Sequence, residues 1–107
     1  MGISKRHIHS DSVNQLADLA KVLSHPARIS ILNFIGDCDG CLCKDIAAEI
    51  GLAQPTTSQH LQIIKKSGLL ESHFEGKSQH YKINPEGLAI LKSLFHNFFE
   101  TAEKKCC

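Results

Sequence analysis

The first absence in this 107-residue chain is a long hydrophobic run. No apolar stretch approaches the ~20 residues that a membrane-spanning helix requires, so no membrane partner is expected. The opening residues, MGISKRHIHSDS, lack the apolar segment of a signal peptide. Arg6 stands where N-myristoylation would require Ser or Thr. We therefore expect a cytoplasmic protein.

A strong net charge is also missing, since the formal value is only +1 at pH 7. The distribution of charge is more informative than the total. Residues 37–52 carry one basic and four acidic side chains, whereas residues 53–82 carry four basic and two acidic ones. A local positive segment of this kind can provide an electrostatic footprint for an anionic partner even in a nearly neutral protein.

The composition and length of the chain limit the kinds of fold that it can adopt. Apolar residues make up 42% and charged residues 21% of the chain, which is typical of a globular protein and not of a disordered one. We expect a single domain over residues 1–107, with flexible ends at about residues 1–9 and 102–107. A chain of this length builds only a modest core, so a dimer partner would help to stabilise it.

Asp and Glu are absent from residues 53–67, AQPTTSQHLQIIKKS, which begin with a polar run and continue as an apolar helical stripe. Pro55 favours a helix that starts at Gln54–Pro55, because the first N–H groups of a helix have no intrahelical partner. Acids are normally favoured at a helix N-terminus by the dipole. A helix start that carries amides, hydroxyls and an imidazole instead suits an anionic partner, and these groups can read base edges and bind phosphate. This stretch predicts a DNA-recognition helix.

Three further helices are predicted before the recognition helix. One ends before Pro26, which opens the next; we expect the buried face of that second helix to be formed by Ile29, Leu32 and Ile35. Residues 37–43, DCDGCLC, have the composition of a turn. A short helix over residues 44–50 then precedes the recognition helix, and two helices separated by a tight turn are typical of a helix-turn-helix.

The period changes after Gly68. Residues 70–75 and 78–83 are short strand-like runs on either side of Gly76-Lys77, a hairpin signal with a positive charge at its tip. Asn84 and Pro85 then begin a last helix with a wide apolar surface. The predicted class is α+β, mainly helical, a winged helix-turn-helix of order α-α-α-α-β-β-α. Lys77 on the wing can reach a phosphate or the minor groove.

Several motifs together resemble the ArsR/SmtB family of small bacterial winged-helix repressors, over roughly residues 13–99. They are Leu23-Ser24-His25-Pro26-Ala27-Arg28-Ile29, the run Gln54-Pro55-Thr56-Thr57-Ser58-Gln59-His60-Leu61, Gly68-Leu69, and the hairpin ending in Tyr81. The resemblance implies a homodimer, joined through the first and last helices, that binds double-stranded DNA at an imperfectly palindromic operator and leaves when an inducer binds. By position in the motif, the implied DNA contacts are Gln54, Thr56, Thr57, Ser58, Gln59, His60 and Lys77. An alternative remains for three of them: Thr57 or Ser58 could bond backward to the helix, and His60 could pack beneath the wing.

Five cysteines are many for a cytoplasmic chain of this size, and three of them, Cys38, Cys41 and Cys43, lie within six residues. An odd number in a reducing compartment argues against a disulfide framework and for metal binding or thiol chemistry. Three converging thiolates suit As(III) or Sb(III), or Cd(II), Pb(II) or Zn(II) with a further ligand. We expect such an ion to act as an inducer, with none required for folding, and the nearby helix N-terminus to lower the thiol pKa values.

The identity of the inducer is left open by the local pattern. The arsenic-sensing branch of the family has C-x-C followed directly by Asp, whereas here Lys44 separates Cys43 from Asp45. The zinc-sensing branch uses Asp and His on the last helix; this chain has Pro85 and Gly87 where the first pair would fall. His96 and Glu100 share a helix face there but lack a second pair, so no site is expected. Cys106 and Cys107 are expected in a flexible tail, or as extra thiols together with His7 and His9.

The sequence therefore predicts a DNA-binding repressor that a thiophilic metal or metalloid releases from its operator. One alternative is a repressor of the same fold in which reversible oxidation of these thiols is the signal. A structural zinc knuckle is another. A thiol-redox enzyme built on Cys38-x-x-Cys41 is less favoured, because the helical context lacks the βαβ unit that accompanies that motif. We expect no enzymatic activity.

Overall fold

The structure, a computed structural model, describes the backbone of residues 6–105. A 3-10 turn, Arg6–Ile8, precedes five helices and three strands: α1 (Asp11–Val22), α2 (Pro26–Gly36), β1 (Cys41–Leu42), α3 (Cys43–Ile50), α4 (Gln54–Lys66), β2 (Leu70–Glu75), β3 (Ser78–Ile83) and α5 (Pro85–Lys105). The predictions made for Cys106 and Cys107 lie outside the described residues.

The predicted winged helix-turn-helix is confirmed. Helices α3 and α4 form the helix-turn-helix, and the hairpin of β2 and β3 follows α4 directly. Both strands have the predicted bounds, and Gly76 adopts a φ of 64° at the tip of the hairpin, a value that favours glycine. At the C-terminal end, α5 continues to Lys105, so residues 102–105 are helical although the sequence predicts a flexible end there.

The turn predicted for residues 37–43 contains a strand that the sequence does not reveal. In β1, Cys41 lies opposite Tyr81 and Leu42 opposite His80, and the antiparallel sheet has the order β1-β3-β2. Two residues are too few to show an alternating pattern, so periodicity carries no signal for this strand. This strand bears on function, because its backbone pairing with β3 joins the cysteine-containing loop to the wing.

The buried face of α2 also differs from the prediction. Ile31 and Ile35 are fully buried and Arg28 is only 8% exposed, whereas Ile29 is 39% exposed and Leu32 lies partly buried. Apolar residues occur on every side of this helix, so their spacing does not select one face. Arg28 can be buried because its guanidinium finds hydrogen-bond partners there.

The core joins all of the elements that position α4. Its buried members are Leu19, Ile31, Ile35, Cys41, Ile46, Leu61, Ile64, Leu69, Leu70 and Tyr81. Leu61 and Ile64, on the inner face of α4, are both 0% exposed. Burying a side chain of this size contributes roughly 1.5–3 kcal/mol to stability, so the inner face of α4 fixes the direction of its outer face.

A tight joint connects the end of α4 to the start of α5. The Nδ2 of Asn84 donates to the carbonyl oxygen of Gly68 at 2.9 Å, and its Oδ1 accepts from the backbone N–H of Glu86 at 3.2 Å. Asn84 therefore caps α5, as predicted. The Cα of Gly87 packs against the same carbonyl of Gly68, so closely that a Cβ at residue 87 would overlap it.

Within residues 6–105, no helix combines the length and the mean hydropathy needed to cross a bilayer.

Candidate nucleic-acid interface

The N-terminus of α4 is open to an anionic partner. The helix begins at Gln54, its N-cap residue Ala53 makes no side-chain cap bond, and no acidic residue lies in the first turn. The first N–H groups of a helix have no intrahelical partners, and together with the dipole they favour a negative group. Lys65 and Lys66 occupy the last turn, at the opposite end.

Four of the seven residues implied as DNA contacts are exposed. They are Gln54, Thr56 and Gln59 on α4, and Lys77 at the tip of the wing. Ser58 is half-buried and lines the groove between α4 and the wing. Four side chains of α4 and one of the wing are therefore accessible from outside the molecule.

Thr57 does not belong to this set, and here the implied contact is wrong. Its side chain is 0% exposed, and its Oγ1 donates to the carbonyl oxygen of Ala53 at 3.0 Å. A fully buried hydroxyl cannot reach DNA. Of the two alternatives that the sequence leaves open for Thr57, the backward bond to the helix is the one found.

His60 is half-buried, and residues at the start of α2 contact its side chain. Its Nδ1 accepts a hydrogen bond from the Nε of Arg28 at 3.1 Å, and its ring centroid lies 6.0 Å from that of His25. Burial lowers the pKa of His60, and the charges of Arg28 and His25 lower it further. The packing partners of His60 are therefore residues of the α2 start, and the expectation that it might pack beneath the wing is not met.

An open groove of about 400 Å³ runs between α3, α4 and the wing. Its lining contains two lysines, five amide or hydroxyl side chains of α4 and the wing, and no carboxylate: Leu42, Cys43, Lys44, Gln54, Ser58, Lys77, Ser78, Gln79 and Tyr81. Lysines supply point charges for phosphate, and hydroxyls and amides supply hydrogen bonds to phosphate and sugar. The groove can hold a segment of a polyanionic backbone.

Sequence reasoning missed a histidine–carboxylate cluster on the wing. His73 and His80 lie opposite each other in β2 and β3, with their rings stacked at 5.3 Å. The carboxylate of Glu75 lies 3.1 Å from Nε2 of His80 and 3.6 Å from Nε2 of His73. The signal was available in the predicted hairpin register, which places residues 73 and 80 as a cross-strand pair. The cluster gives Glu75 positive partners when the imidazoles are protonated, beside a surface proposed to meet DNA.

The cysteine cluster departs from the predicted thiolate site. Cys38 and Cys41 form a disulfide with their Cα atoms 6.0 Å apart, a spacing that suits such a bond. The sequence argues against a disulfide framework and for metal binding or thiol chemistry, whereas the structure contains one bond between these two cysteines. Cys43 is a free, half-buried thiol whose Sγ lies 3.8 Å from the carbonyl oxygen of Gln54.

In this oxidised form the three sulfurs do not make a trigonal thiolate site, because two of them are bonded to each other. Burial raises the pKa of Cys43, so the lowering expected from the start of α3 does not prevail. Across residues 6–105, no group of three or more His, Cys, Asp or Glu side chains is arranged to hold a metal ion.

Residues 25–72, which contain α2, the helix-turn-helix and the start of the wing, match the family described as "Bacterial regulatory protein, arsR family". The biofilm growth-associated repressor of Xylella fastidiosa is 30% identical over 92 residues, which cover 86% of this chain and 80% of that protein. The cadmium resistance transcriptional regulatory protein CadC of Listeria innocua is 33% identical, over 87% of this chain and 88% of that protein.

A solved structure agrees with the fold along almost the whole chain. It is the homodimeric winged helix-turn-helix DNA-binding domain Mb0332 of Mycobacterium bovis, a possible ArsR-family transcriptional regulator, with a TM-score of 0.69 and 28% identity. The superposition covers 98% of this chain and 94% of that one. The sequence matches and the fold are those of DNA-binding transcription regulators, and the chain belongs to the ArsR family of bacterial regulatory proteins.

Proposed function

We propose that the chain is a homodimeric repressor that binds a double-stranded, imperfectly palindromic operator and leaves it when the chemistry of the Cys38–Cys43 loop changes. The observation that carries the proposal is the carboxylate-free groove between α4 and the wing, with Lys44 and Lys77 on its walls. It lies beside a recognition helix whose first turn also lacks acids. These features favour contact with a phosphate backbone.

The roles of the individual contacts follow from exposure. Gln54, Thr56 and Gln59 stand on the outer face of α4 and can reach base edges in the major groove. Ser58 and Lys77 border the groove and suit phosphate. Thr57 is excluded because it is buried.

An apolar surface supports the proposed homodimer. Leu88, Ile90, Phe98 and Phe99 of α5 and Val13 of α1 are each about half exposed, between 46% and 54%. Helices α1 and α5 pack against each other, so Val13 and the exposed apolar side chains of α5 lie on two neighbouring helices. Exposed large apolar groups concentrated in this way mark an interaction surface, and the Mycobacterium relative is a homodimer.

Two kinds of signal are candidates for changing the chemistry of the Cys38–Cys43 loop. Similarity to a cadmium resistance regulator supports release by a thiophilic ion, for which As(III), Sb(III), Cd(II), Pb(II) and Zn(II) remain the candidates. Such an ion requires reduced thiols, so Cys38, Cys41 and Cys43 would bind it only after the disulfide is opened. The disulfide itself favours the second candidate, a redox switch. In that reaction two thiols lose two electrons and two protons, one S–S bond forms, and a peroxide is reduced to water.

The DNA-binding part is tested by operator gel shift as a function of salt. We expect a steep fall of affinity with salt concentration and a loss of at least about tenfold in the Ser58→Ala, Gln59→Ala double variant, since two hydrogen-bonding groups are removed. Ser93→Ala, an exposed position on α5, is the matched control and should bind as the unmodified chain does. A shallow salt dependence, or full affinity in the double variant, would refute the proposal.

The control part is tested with the reduced protein on the same operator. It is titrated in parallel with As(III), Cd(II) and peroxide, alongside a variant that carries Cys38→Ser, Cys41→Ser and Cys43→Ser. The effective agent should release the unmodified protein and leave the variant bound. A triple variant that still dissociates with all three agents would contradict a role for this loop.

A further inference from the structure

Arg28 ties three helices together at the back of the recognition helix. It lies on α2, its Nη1 donates to the carbonyl oxygen of Val22 at the end of α1 at 3.3 Å, and its Nε donates to Nδ1 of His60 on α4 at 3.1 Å. Only 8% of its surface is exposed. A cation buried to this extent normally has a carboxylate partner, and within the described chain Arg28 has a carbonyl and an imidazole instead.

The bond from Arg28 determines where the proton of His60 sits. A guanidinium N–H can only donate, so Nδ1 of His60 must present its lone pair. A neutral imidazole carries one proton, which then lies on Nε2. Protonation of Nδ1 would place an N–H against the Nε–H of Arg28, so the contact opposes the charged form of the ring.

The remaining nitrogen of His60 is left for a partner outside the chain. Among residues 6–105, Nε2 of His60 has no hydrogen-bond partner, and the ring is not buried. Beside it, the start of α2 is as free of acids as the start of α4: its N-cap, His25, makes no side-chain cap bond and its first turn holds no acidic residue. The surroundings of this N–H are therefore positive, which suits a negatively charged phosphate oxygen better than a neutral acceptor on a base.

We infer that Arg28 is a positioning residue that holds His60 as the neutral Nε2–H tautomer, so that His60 donates one hydrogen bond to a phosphate of the operator. The inference rests on the proposed DNA-binding function and assigns a specific chemical role within it. It also makes the contact constant across the pH range of a cell, because the group that donates does not depend on protonation of the ring.

The electrostatic surroundings agree with this assignment. Burial, the charge of Arg28 and that of His25 lower the pKa of His60, in that order of size. Arg28 and His25, both at the start of α2, are the charged and titratable groups that act on the ring, and α1 contacts Arg28 only through the uncharged carbonyl of Val22. All three influences favour the neutral imidazole.

A purely structural role for His60 makes a different prediction. If its only task is to accept the bond from Arg28, an acceptor at the Nδ1 position is all that DNA binding requires. His60→Asn keeps a polar group near Nδ1 and none near Nε2, whereas His60→Gln can place an amide N–H near Nε2. The two variants therefore separate the two roles.

The test combines nitrogen NMR of the free, full-length protein with operator binding. Long-range ¹H–¹⁵N spectra at pH 7 should show His60 entirely as the Nε2–H tautomer, and Arg28→Met should admit a measurable fraction of the Nδ1–H tautomer. On the operator, His60→Gln should bind within a few-fold of the unmodified chain and His60→Asn should lose about tenfold, the effect of one hydrogen bond to a charged oxygen. Melting temperatures of both variants identify any loss that reflects unfolding.

The inference is overturned if His60 is the Nδ1–H tautomer or charged at pH 7, or if folded His60→Asn binds as well as His60→Gln. The Ser58→Ala, Gln59→Ala variant on the same operator separates this failure from failure of the proposed function. If that double variant loses affinity while His60→Asn does not, DNA binding through α4 stands and only the role of His60 falls. If neither variant loses affinity, both ideas fall.

Discussion

Cys41 lies directly opposite Tyr81 in the pairing of β1 with β3. Cys41 is at the same time one end of the disulfide, and Tyr81 is a buried residue at the base of the wing, 3% exposed. Burial raises the pKa of Tyr81, with a further contribution from Cys43, so the tyrosine stays neutral next to the thiol. The Cys38–Cys43 loop is therefore connected to the proposed DNA-binding surface in two ways. It is joined through β1 to the wing, and through α3 to α4.

The first prediction concerns the disulfide. Reducing the bond between Cys38 and Cys41 should lower the free energy of unfolding by about 2 kcal/mol, because a short crosslink restricts the unfolded chain. Urea unfolding at one protein concentration, with and without reductant, measures the difference. The stability difference between the two buffers should persist in Cys43→Ser and disappear in Cys38→Ser. Equal stability of the unmodified chain in both buffers would contradict the prediction.

The second prediction uses two adjacent threonines as a matched pair. Thr57→Val removes a buried hydroxyl that donates to Ala53, and should cost roughly 0.5–1.5 kcal/mol of stability without a direct effect on DNA. Thr56→Val changes an exposed hydroxyl and should weaken operator binding while leaving stability unchanged. Thermal melts and gel shifts on both variants check the pair. Reversed effects would mean that the outer face of α4 has been misassigned.

The third prediction addresses the joint between α4 and α5. Gly87→Ala should destabilise the protein by about 1–3 kcal/mol or more, since the new methyl group would overlap the carbonyl of Gly68 and the backbone must move. Gly36→Ala is the control: it meets no atom within 4 Å, and should be neutral or gain up to about 1 kcal/mol from helix propensity. The denaturant midpoints of the two variants, compared with that of the unmodified chain, measure both effects. A Gly87→Ala variant as stable as the unmodified chain would contradict the close contact.

The fourth prediction concerns Lys77. If its ammonium group neutralises one phosphate per protomer, Lys77→Ala should weaken binding to all sequences alike and make the dependence of log affinity on log salt shallower by about one unit per lost contact. Lys92→Ala, an exposed lysine on α5, should leave the slope unchanged. Titrations at several salt concentrations provide the slopes. Identical slopes for the two variants would remove Lys77 from the interface.

The fifth prediction follows from the lowered pKa of His60. The unfolded state binds a proton on this residue near the ordinary pKa of about 6.5, while the folded state resists it. The unfolded state then holds more protons, so stability should fall as the pH drops below about 6.5. His60→Gln should show a smaller fall in stability than the unmodified chain. An unchanged pH dependence in His60→Gln would contradict the shift.

Local signals in the sequence were sufficient to predict the helices and the strands of the wing. Proline and the absent acids set the start of α4, alternating apolar residues on either side of Gly76 gave both strands of the wing, and Asn84 marked the start of α5. Each of these features is encoded within a few consecutive residues. That is why their bounds could be predicted closely.

The features that were missed depend on residues that are distant in the chain. Arg28 is buried because it meets His60, 32 residues later, and β1 exists because β3 offers it a partner. Thr57 and Thr56 are indistinguishable by composition, and only the packing of α4 decides which one is buried. The odd number of cysteines and the reducing compartment argued against a disulfide framework, whereas the turn at Gly40, with a φ of 90°, brings Cys38 and Cys41 together.

The joint of Asn84, Gly68 and Gly87 has a consequence for the shape of the DNA target. Since the end of α4 and the beginning of α5 share one tightly packed contact, the angle between the recognition helix and the proposed dimer helix has little freedom. In the proposed homodimer, the two recognition helices would therefore keep a nearly fixed spacing and orientation. One base pair inserted between the half-sites would rotate the half-sites by about 35° about the DNA axis, a twist that bending at the joint could not follow.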